Sequence, residues 1–223
     1  MALSGAIARR WLELSVEQID RHADELTALD AAIGDGDHGI NLQRGFTTIA
    51  QRLEADGAPD AGVPAAELFR LAGRTLVSTV GGASGPLYGT FFLELGASLD
   101  GADGPPAEIL GNGLRAAVSG VARRGRSTTG EKTMLDALVP GVDAWQEVAA
   151  GRGSLGACAD AAWRAADAGR LATEPMVATK GRASYLGERS RGHVDPGASS
   201  ATLLMGALAV AIAQVGDGEG ANR

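Results

Sequence analysis

Asp30, Asp35 and Asp37 fall within eight residues of one another, in the run Leu29-Asp30-Ala31-Ala32-Ile33-Gly34-Asp35-Gly36-Asp37-His38-Gly39-Ile40-Asn41. Carboxylates this close repel each other, and a bound cation relieves the repulsion. Every candidate ligand atom is an oxygen, which favours Mg²⁺ or Ca²⁺ over zinc or copper. The interleaved glycines let the backbone fold so that the three side chains can converge. Mg²⁺ takes one or two carboxylates and fills its other positions with water and substrate phosphate. Three carboxylates without a thiol therefore suggest one or two Mg²⁺ ions on a nucleotide. The string Gly34-Asp-Gly36-Asp-His-Gly39 imitates a dinucleotide-binding loop, but it follows no strand and its acids would repel a pyrophosphate. An EF-hand is excluded because Gly39 stands at the fifth position from Asp35 and no glycine stands at the sixth. A solvated acidic turn between helices remains the plain alternative for these residues taken alone.

Three other segments could handle anions. Gly81-Gly82-Ala83-Ser84-Gly85-Pro86 precedes a helical pattern; small residues there expose backbone N–H groups at a helix N-terminus, where anions are favoured. The same glycines would equally serve a tight turn or close helix packing. Gly125-Arg-Ser-Thr-Thr-Gly130-Glu131-Lys132-Thr133 nearly spells a Walker A loop, yet Glu131 is one residue too many and no strand precedes it. Lys180 to Gly197 holds four basic residues, His193 and five glycine or proline residues. Arginine suits phosphate or carboxylate recognition, although a solvated surface loop would have the same composition. No nucleophilic triad is evident. Cys158 sits among small residues as a core group, and His22 reads as a helix-face residue.

The elements that must position these segments are helical throughout. Apolar spacing predicts one long amphipathic helix from about Ser4 to Leu29, then helices over Ile40 to Leu53, Pro64 to about Val80, and from the Gly81–Pro86 break to about Leu99. A fifth starts at Pro105-Pro106 and ends at Arg124-Gly125. Thr133 and Asp136 form a capping box for the sixth, with Pro140 an irregularity in its second turn. Ser154 caps the seventh, which runs to about Leu171, and Ala198 to Val215 is the eighth. Asp56 to Pro64 and Asp100 to Pro106 read as loops, Thr173 to Pro196 as a long functional loop, and Gly216 to Arg223 as a loose tail. No strand, repeat or linker is apparent. The expectation is an all-α, single-domain, eight-helix antiparallel up-and-down barrel or bundle over residues 1–223.

Composition narrows the partners. The 223 residues are 45% hydrophobic and 21% charged, with a net charge of -7, which fits a globular protein and opposes nucleic-acid binding. One cysteine fits a reducing compartment, and the N-terminal charges follow the apolar stretch rather than preceding it, unlike a secretory signal. Ala198 to Val215 is uncharged over 18 positions, the lower edge of spanning length. Its Ser, Thr and Gln residues and the absence of a flanking positive cluster favour a buried helix over a membrane span.

Taken together, Asp30 to Phe46, Gly81 to Gly89, Gly130 to Asp136 and Gly181 to Ser199 resemble the nucleotide-binding L-type family of dihydroxyacetone (glycerone) kinases. That family occurs as a separate subunit and as the C-terminal domain of single-chain ATP-dependent kinases. The resemblance implies ADP or ATP bound on the loops at one end of the barrel, with two Mg²⁺ ions held by Asp30, Asp35 and Asp37. It places His38, Gly39, Ile40 and Asn41 beside the nucleotide and Ala83 and Ser84 in the phosphate-facing turn. Gly125, Met134, Arg182 and the Asp195-Pro196-Gly197 turn would form the remaining wall. In the family the triose is bound covalently to a histidine of a K subunit or domain, which these 223 residues do not contain. The resemblance thus implies half an active site, in a cytoplasmic phosphotransferase of glycerol metabolism. Its partners would be a dihydroxyacetone-binding K subunit and a phosphohistidine-carrying M subunit that recharges a resident ADP. A homodimer is a further expectation; nucleic acid and membrane are not. The alternatives are an ATP-dependent subunit with exchangeable ATP acting on a triose, tetrose or related hydroxyketone, and a regulatory nucleotide-binding module.

Overall fold

The computed structural model describes residues 4–55 and 62–220. Nine α-helices and one 3₁₀ segment occur among them, and no strand. The helices are α1 (Gly5–Arg21), α2 (Ala23–Ile33), α3 (His38–Ala55), α4 (Ala65–Thr79), α5 (Ser84–Ser98), α6 (Pro106–Gly125), α7 (Leu135–Ala150), α8 (Leu155–Ala172) and α9 (Pro196–Gly220), with the 3₁₀ segment at Arg182–Ser190.

The single long helix expected over Ser4 to Leu29 is two. His22 leaves helical conformation at φ -107°, ψ 10°. Its Nδ1 lies 2.8 Å from the Gln18 carbonyl oxygen that its own N–H also reaches. The chain re-enters a helix at once, and Ile19, Ala23 and Leu26 are all buried across the break. Apolar spacing therefore runs through the kink unchanged. Elsewhere the ends move. Helix α3 begins at His38 rather than Ile40, because the Asp30 side chain accepts the N–H groups that open it. Helix α5 begins inside the expected Gly81–Pro86 break, and α6 runs through Gly125, leaving Arg126 in the left-handed region at φ 49°. Helix α9 continues past Val215 to Gly220, where a loose tail was expected. The Thr173 to Pro196 loop contains the 3₁₀ segment. The Asp56 to Pro64 loop falls mainly on residues 56–61, outside the described ones.

Local chemistry accounts for the other boundaries. Ser154 accepts the Ala157 N–H at 3.1 Å and starts α8. Thr133 and Asp136 open α7 together: the Thr133 N–H reaches Asp136 Oδ2 at 2.8 Å, the Asp136 N–H reaches the Thr133 carbonyl at 3.0 Å, and Thr133 Oγ1 accepts the Leu135 N–H at 3.2 Å. Pro140 sits within α7 and has no N–H to offer the Asp136 carbonyl one turn earlier. Gly169 of α8 occupies that place; a Cβ there would come within 2.1 Å of the Asp136 oxygen.

Consecutive helices pack side by side, and α9 packs on both α8 and α1, which closes the ring. Helices α1 and α2 occupy one position in it, between α9 and α3. The result is an eight-rod antiparallel barrel with a filled interior. Few aromatics are available, and four of them meet at one place. Trp11 packs edge-on to Phe69 at 5.4 Å and lies 5.9 Å from Phe92, while Phe91 meets Phe92 at 5.3 Å. The buried Trp11 Nε1–H donates to the Leu204 carbonyl at 2.8 Å, tying α1 to α9. Pro196–Val215 is the one described stretch long and apolar enough to cross a membrane, with mean hydropathy 1.7; 67% of it is buried inside the fold. Its apolarity is used in packing against α1, α7 and α8.

In an up-and-down ring every second connection lies at the same end. Here those are the α2–α3, α4–α5, α6–α7 and α8–α9 connections, and together they line one cavity of about 190 Å³.

Candidate functional site

The α2–α3 turn supplies the acidic side of this cavity. Asp30, Asp35 and Asp37 each offer a carboxylate oxygen within 4.8 Å of the others. Asp30 comes from the last turn of α2 and is 9% exposed. Its Oδ2 accepts the N–H groups of Asp37 at 2.9 Å and His38 at 3.1 Å, so the same carboxylate starts α3. Gly34 is required beside it, since a Cβ there would meet Asp30 Oδ1 at 2.1 Å. Asp35 and Asp37 are exposed. Asp35 Oδ2 receives Arg182 Nε at 3.0 Å from across the cavity. An all-oxygen donor set of this kind suits a hard, phosphate-associated cation.

His38 opens α3 and is buried. Its Nδ1 lies 3.0 Å from Ser84 Oγ and its Nε2 2.8 Å from Ser200 Oγ. Ser200 Oγ is 2.6 Å from the Tyr88 hydroxyl. Burial pulls the imidazole below its ordinary pKa, against the opposing charges of Asp30 and Asp37. The neutral ring can then donate at one nitrogen and accept at the other. Burial also pushes the Tyr88 phenol well above its usual range. This chain of hydroxyls and imidazole joins the N-termini of α3, α5 and α9.

Those three N-termini face one cavity but are finished differently. Asp30 caps α3. Asp195 caps α9, its Oδ2 accepting the Ala198 N–H at 2.7 Å, with Pro196 as the first helical residue. Helix α5 starts after Gly82, at φ +65°, and no side chain caps it. The first N–H groups of a helix lack intrahelical partners, so α5 is the terminus open to an anion.

Asp195 is 7% exposed, and burial raises its carboxyl pKa to about 7, with the Asp136 and Asp30 charges adding to the rise and Lys132 opposing it. Lys132, which the sequence reading left among the residues of a failed Walker loop, is 1% exposed. Its Nζ donates to the carbonyls of Thr173, Met176 and His193 at 2.8, 3.1 and 2.6 Å, with the Glu174 carbonyl at 3.4 Å.

Most of the residues singled out in the sequence meet here. Asp30, Asp35, Asp37, His38, Ala83, Ser84, Met134, Arg182, Asp195, Pro196 and Gly197 all line the cavity. Gly39, Ile40, Asn41 and Gly125 lie beside it and are not part of its lining. Gly39 faces α2, where a Cβ would come within 1.9 Å of the Ala23 carbonyl oxygen. Ile40 is 55% exposed. Asn41 is buried, and its Oδ1 accepts from Arg44 at 2.6 Å. The sequence reading missed Tyr88, Lys132 and Ser200. Tyr88 and Ser200 carry no local signal, since nothing near either one in sequence marks it as bonded across the barrel. Lys132 could have been noticed only as a lysine adjoining a capping box.

The DAK2 domain pattern matches residues 32–210. Over 211 residues the chain is 39% identical to the PEP-dependent dihydroxyacetone kinase, ADP-binding subunit DhaL, of Escherichia coli (strain K12), covering 95% of this chain and 99% of that one. It is 42% identical over 201 residues to the corresponding subunit of dihydroxyacetone kinase 1 of Listeria innocua serovar 6a, covering 90% and 93%. It is 33% identical over 219 residues to the D-erythrulose kinase of Mycolicibacterium smegmatis, covering 96% of this chain but 36% of that one. Among solved structures, the fold superposes on the native dihydroxyacetone kinase of C. freundii with a TM-score of 0.70 at 28% identity. It superposes on that kinase in complex with AMP-PNP and Mg²⁺ with a TM-score of 0.68 at 29% identity. These matches cover 92% and 94% of this chain and 34% of each solved chain, so the chain spans about a third of their length. With the pattern matched over most of its length and near-full-length relatives at about 40% identity, the chain belongs to the DAK2 domain family.

Proposed function

We propose that this protein is the ADP-binding subunit of a phosphoenolpyruvate-dependent dihydroxyacetone kinase, with residues 1–223 acting as one cytoplasmic nucleotide-binding unit. It keeps ADP in place, accepts a phosphoryl group onto it from a phosphohistidine-carrying M subunit, and yields that group to dihydroxyacetone held on a K subunit. The observation that carries this reading is the meeting, across one cavity, of a carboxylate trio with an uncapped helix N-terminus.

The residues divide the work. Asp30, Asp35 and Asp37 would hold two Mg²⁺ ions; bound there, the ions supply the charge neutralisation that phosphoryl transfer needs. The N-terminal amides of α5, with Ala83 and Ser84, receive phosphate oxygens. Ser84 is oriented by His38, which is fixed in turn by Ser200 and Tyr88. Arg182 lies within reach of the same charge, and Met134 with Asp195, Pro196 and Gly197 closes the wall. Gly39, Ile40, Asn41 and Gly125 flank the nucleotide from outside the cavity lining. Such a site positions and neutralises; it contributes no covalent chemistry of its own.

The erythrulose kinases among the relatives support a second reading, in which ATP exchanges freely and the acceptor is a tetrose. The near-complete coverage of the separate ADP-binding subunits favours the first. Intact-complex mass spectrometry of the desalted protein separates the readings. ADP that stays bound in Mg²⁺ and leaves only with a chelator fits the resident coenzyme. Reversible binding of ATP to an empty protein fits the exchanging kinase, and no nucleotide binding under either condition overturns both.

A further inference from the structure

The segment 173–195 leaves the barrel at the end of α8 and returns at the start of α9. It supplies Lys180 to Ala183 and Asp195 to the cavity wall. Apart from its 3₁₀ turns it has no regular structure to satisfy its carbonyls. Three of those carbonyls belong to the outgoing limb (Thr173, Glu174, Met176) and one to the returning limb (His193), and all four surround Lys132 Nζ. The limbs are also stitched to each other: the Gly192 N–H reaches the Glu174 carbonyl at 2.8 Å and the Asp195 N–H reaches Thr173 Oγ1 at 2.9 Å. Lys132 therefore sits at the neck of the excursion, where both limbs leave the barrel. A second tie comes from its neighbour, since the Thr179 N–H donates to the Glu131 carbonyl at 3.2 Å.

The choice of lysine follows from the geometry. A buried ammonium must be surrounded by acceptors, and it alone among side chains directs three donors from one atom. A guanidinium presents a planar fork that fits a carboxylate rather than a cage. Lys132 is held in the left-handed region at φ +63°, an unfavourable conformation for a residue with a side chain. Its own connection supplies Lys132, Thr133 and Met134 to the same cavity.

We infer that Lys132 is a positioning residue that holds the segment 173–195 closed over the nucleotide and so sets how slowly the nucleotide leaves. This rests on the function proposed above. Lys132 also lines the cavity, but its ammonium is engaged by the carbonyls of the opposite wall and makes no hydrogen bond to the carboxylate cluster.

The test compares the full-length protein with Lys132→Met and Lys132→Gln. Stopped-flow displacement of a fluorescent ADP analogue in Mg²⁺ gives association and dissociation rates, and hydrogen exchange of the nucleotide-free proteins gives local opening. In Lys132→Met, dissociation should accelerate about tenfold or more, as for loss of a charged hydrogen-bonding group, while association changes less than about twofold. Exchange should rise in 173–195 and stay unchanged in 30–41. A merely destabilised protein would lose binding amplitude without a faster dissociation rate in its folded fraction. Should Lys132→Met fail to fold, Lys132→Gln keeps a donor and should show a smaller acceleration in the same direction. A third protein, Lys132→Cys in a Cys158→Ala background, alkylated with bromoethylamine while unfolded and then refolded, restores an ammonium of nearly the same length and should recover slow dissociation. Dissociation within about twofold of the parent in both Lys132→Met and Lys132→Gln overturns the inference. A parent protein that binds no nucleotide at all overturns the functional reading instead, and the inference with it.

Discussion

The acidic segment of the site, Asp30 to Asn41, takes its backbone shape from contacts with itself and with α2, while the His38 side chain reaches out to Ser84 and Ser200. Asp30 caps a helix that starts eight residues later, and Gly34 and Gly39 fit against residues of the preceding helix. The opposite wall, 173–197, is held from outside: its carbonyls converge on a lysine that lies between α6 and α7. One wall is encoded by residue types at short range. The other depends on a side chain 41 to 61 residues away in sequence. The first should therefore fail by losing its charge or its local packing, and the second by coming loose as a unit.

The largest effect expected from breaking this comparison is at Asp35. Asp35→Asn keeps the shape of the turn and removes a charge from a crowded cluster. Mg²⁺-dependent retention of ADP should fall by about a hundredfold or more, since even an outer-shell partner of a metal is worth up to that much. The melting temperature of the nucleotide-free protein should hold or rise as repulsion is relieved. A variant that keeps ADP as the parent does would remove the carboxylates from the site.

Next comes the packing of the same wall. Gly39→Ala drives a Cβ into the Ala23 carbonyl oxygen. The expected cost is about 2–3 kcal/mol, read in urea melts and as a drop of roughly 5–10 °C in Tm. A neutral result would mean that the α2–α3 contact yields more easily than its geometry allows.

A smaller effect, of opposite sign, is expected at Asp195. Burial raises its pKa in the folded state to about 7, above the ordinary value of about 3.9. The folded protein therefore binds this proton more tightly than the unfolded chain does, and stability from this group declines as pH rises from about 4 to about 7. Asn preserves the cap without the charge. Asp195→Asn should stabilise the nucleotide-free protein on the order of 1–2 kcal/mol at pH 8 and by about a third of that at pH 5. Thermal melts at the two pH values read the difference. An equal gain at both would show that Asp195 is ionised without cost.

The smallest effect is on the tie between the walls. Arg182 and Asp35 are 66% and 35% exposed in their ion pair, so Arg182→Ala should change folding stability by less than about 0.5 kcal/mol. A loss of several kcal/mol in urea melts would mean that the two walls are not built independently.

Legibility in the sequence follows the same division. The carboxylates, the glycine turn before α5 and the Thr133–Asp136 and Ser154 caps were readable because each is decided by residues a few positions apart. The barrel was readable from apolar spacing, with the exception of the kink at His22. There the apolar register continues through Ile19, Ala23 and Leu26, and only a histidine competing for the Gln18 carbonyl marks the break. Lys132, Ser200 and Tyr88 were not readable. Apart from the Ser200 bond to the Gly197 carbonyl in its own first turn, their partners lie between 41 and 162 residues away, and nothing in the neighbouring residues distinguishes a caged lysine from a solvated one.

The alternation of connections around the ring has a consequence for building on this scaffold. Helix α1 begins and α9 ends at the face away from the cavity, as the Arg10–Gln214 hydrogen bond at 2.8 Å between them records. The 20 residues Pro196–Val215 put that face ~30 Å from the start of α9. A domain fused at either end therefore emerges behind the chemistry, and its tether must run the height of the barrel before it can present anything to the mouth. The α5–α6 and α7–α8 connections emerge at that same far face, so length can drift there without reaching the loops that line the cavity.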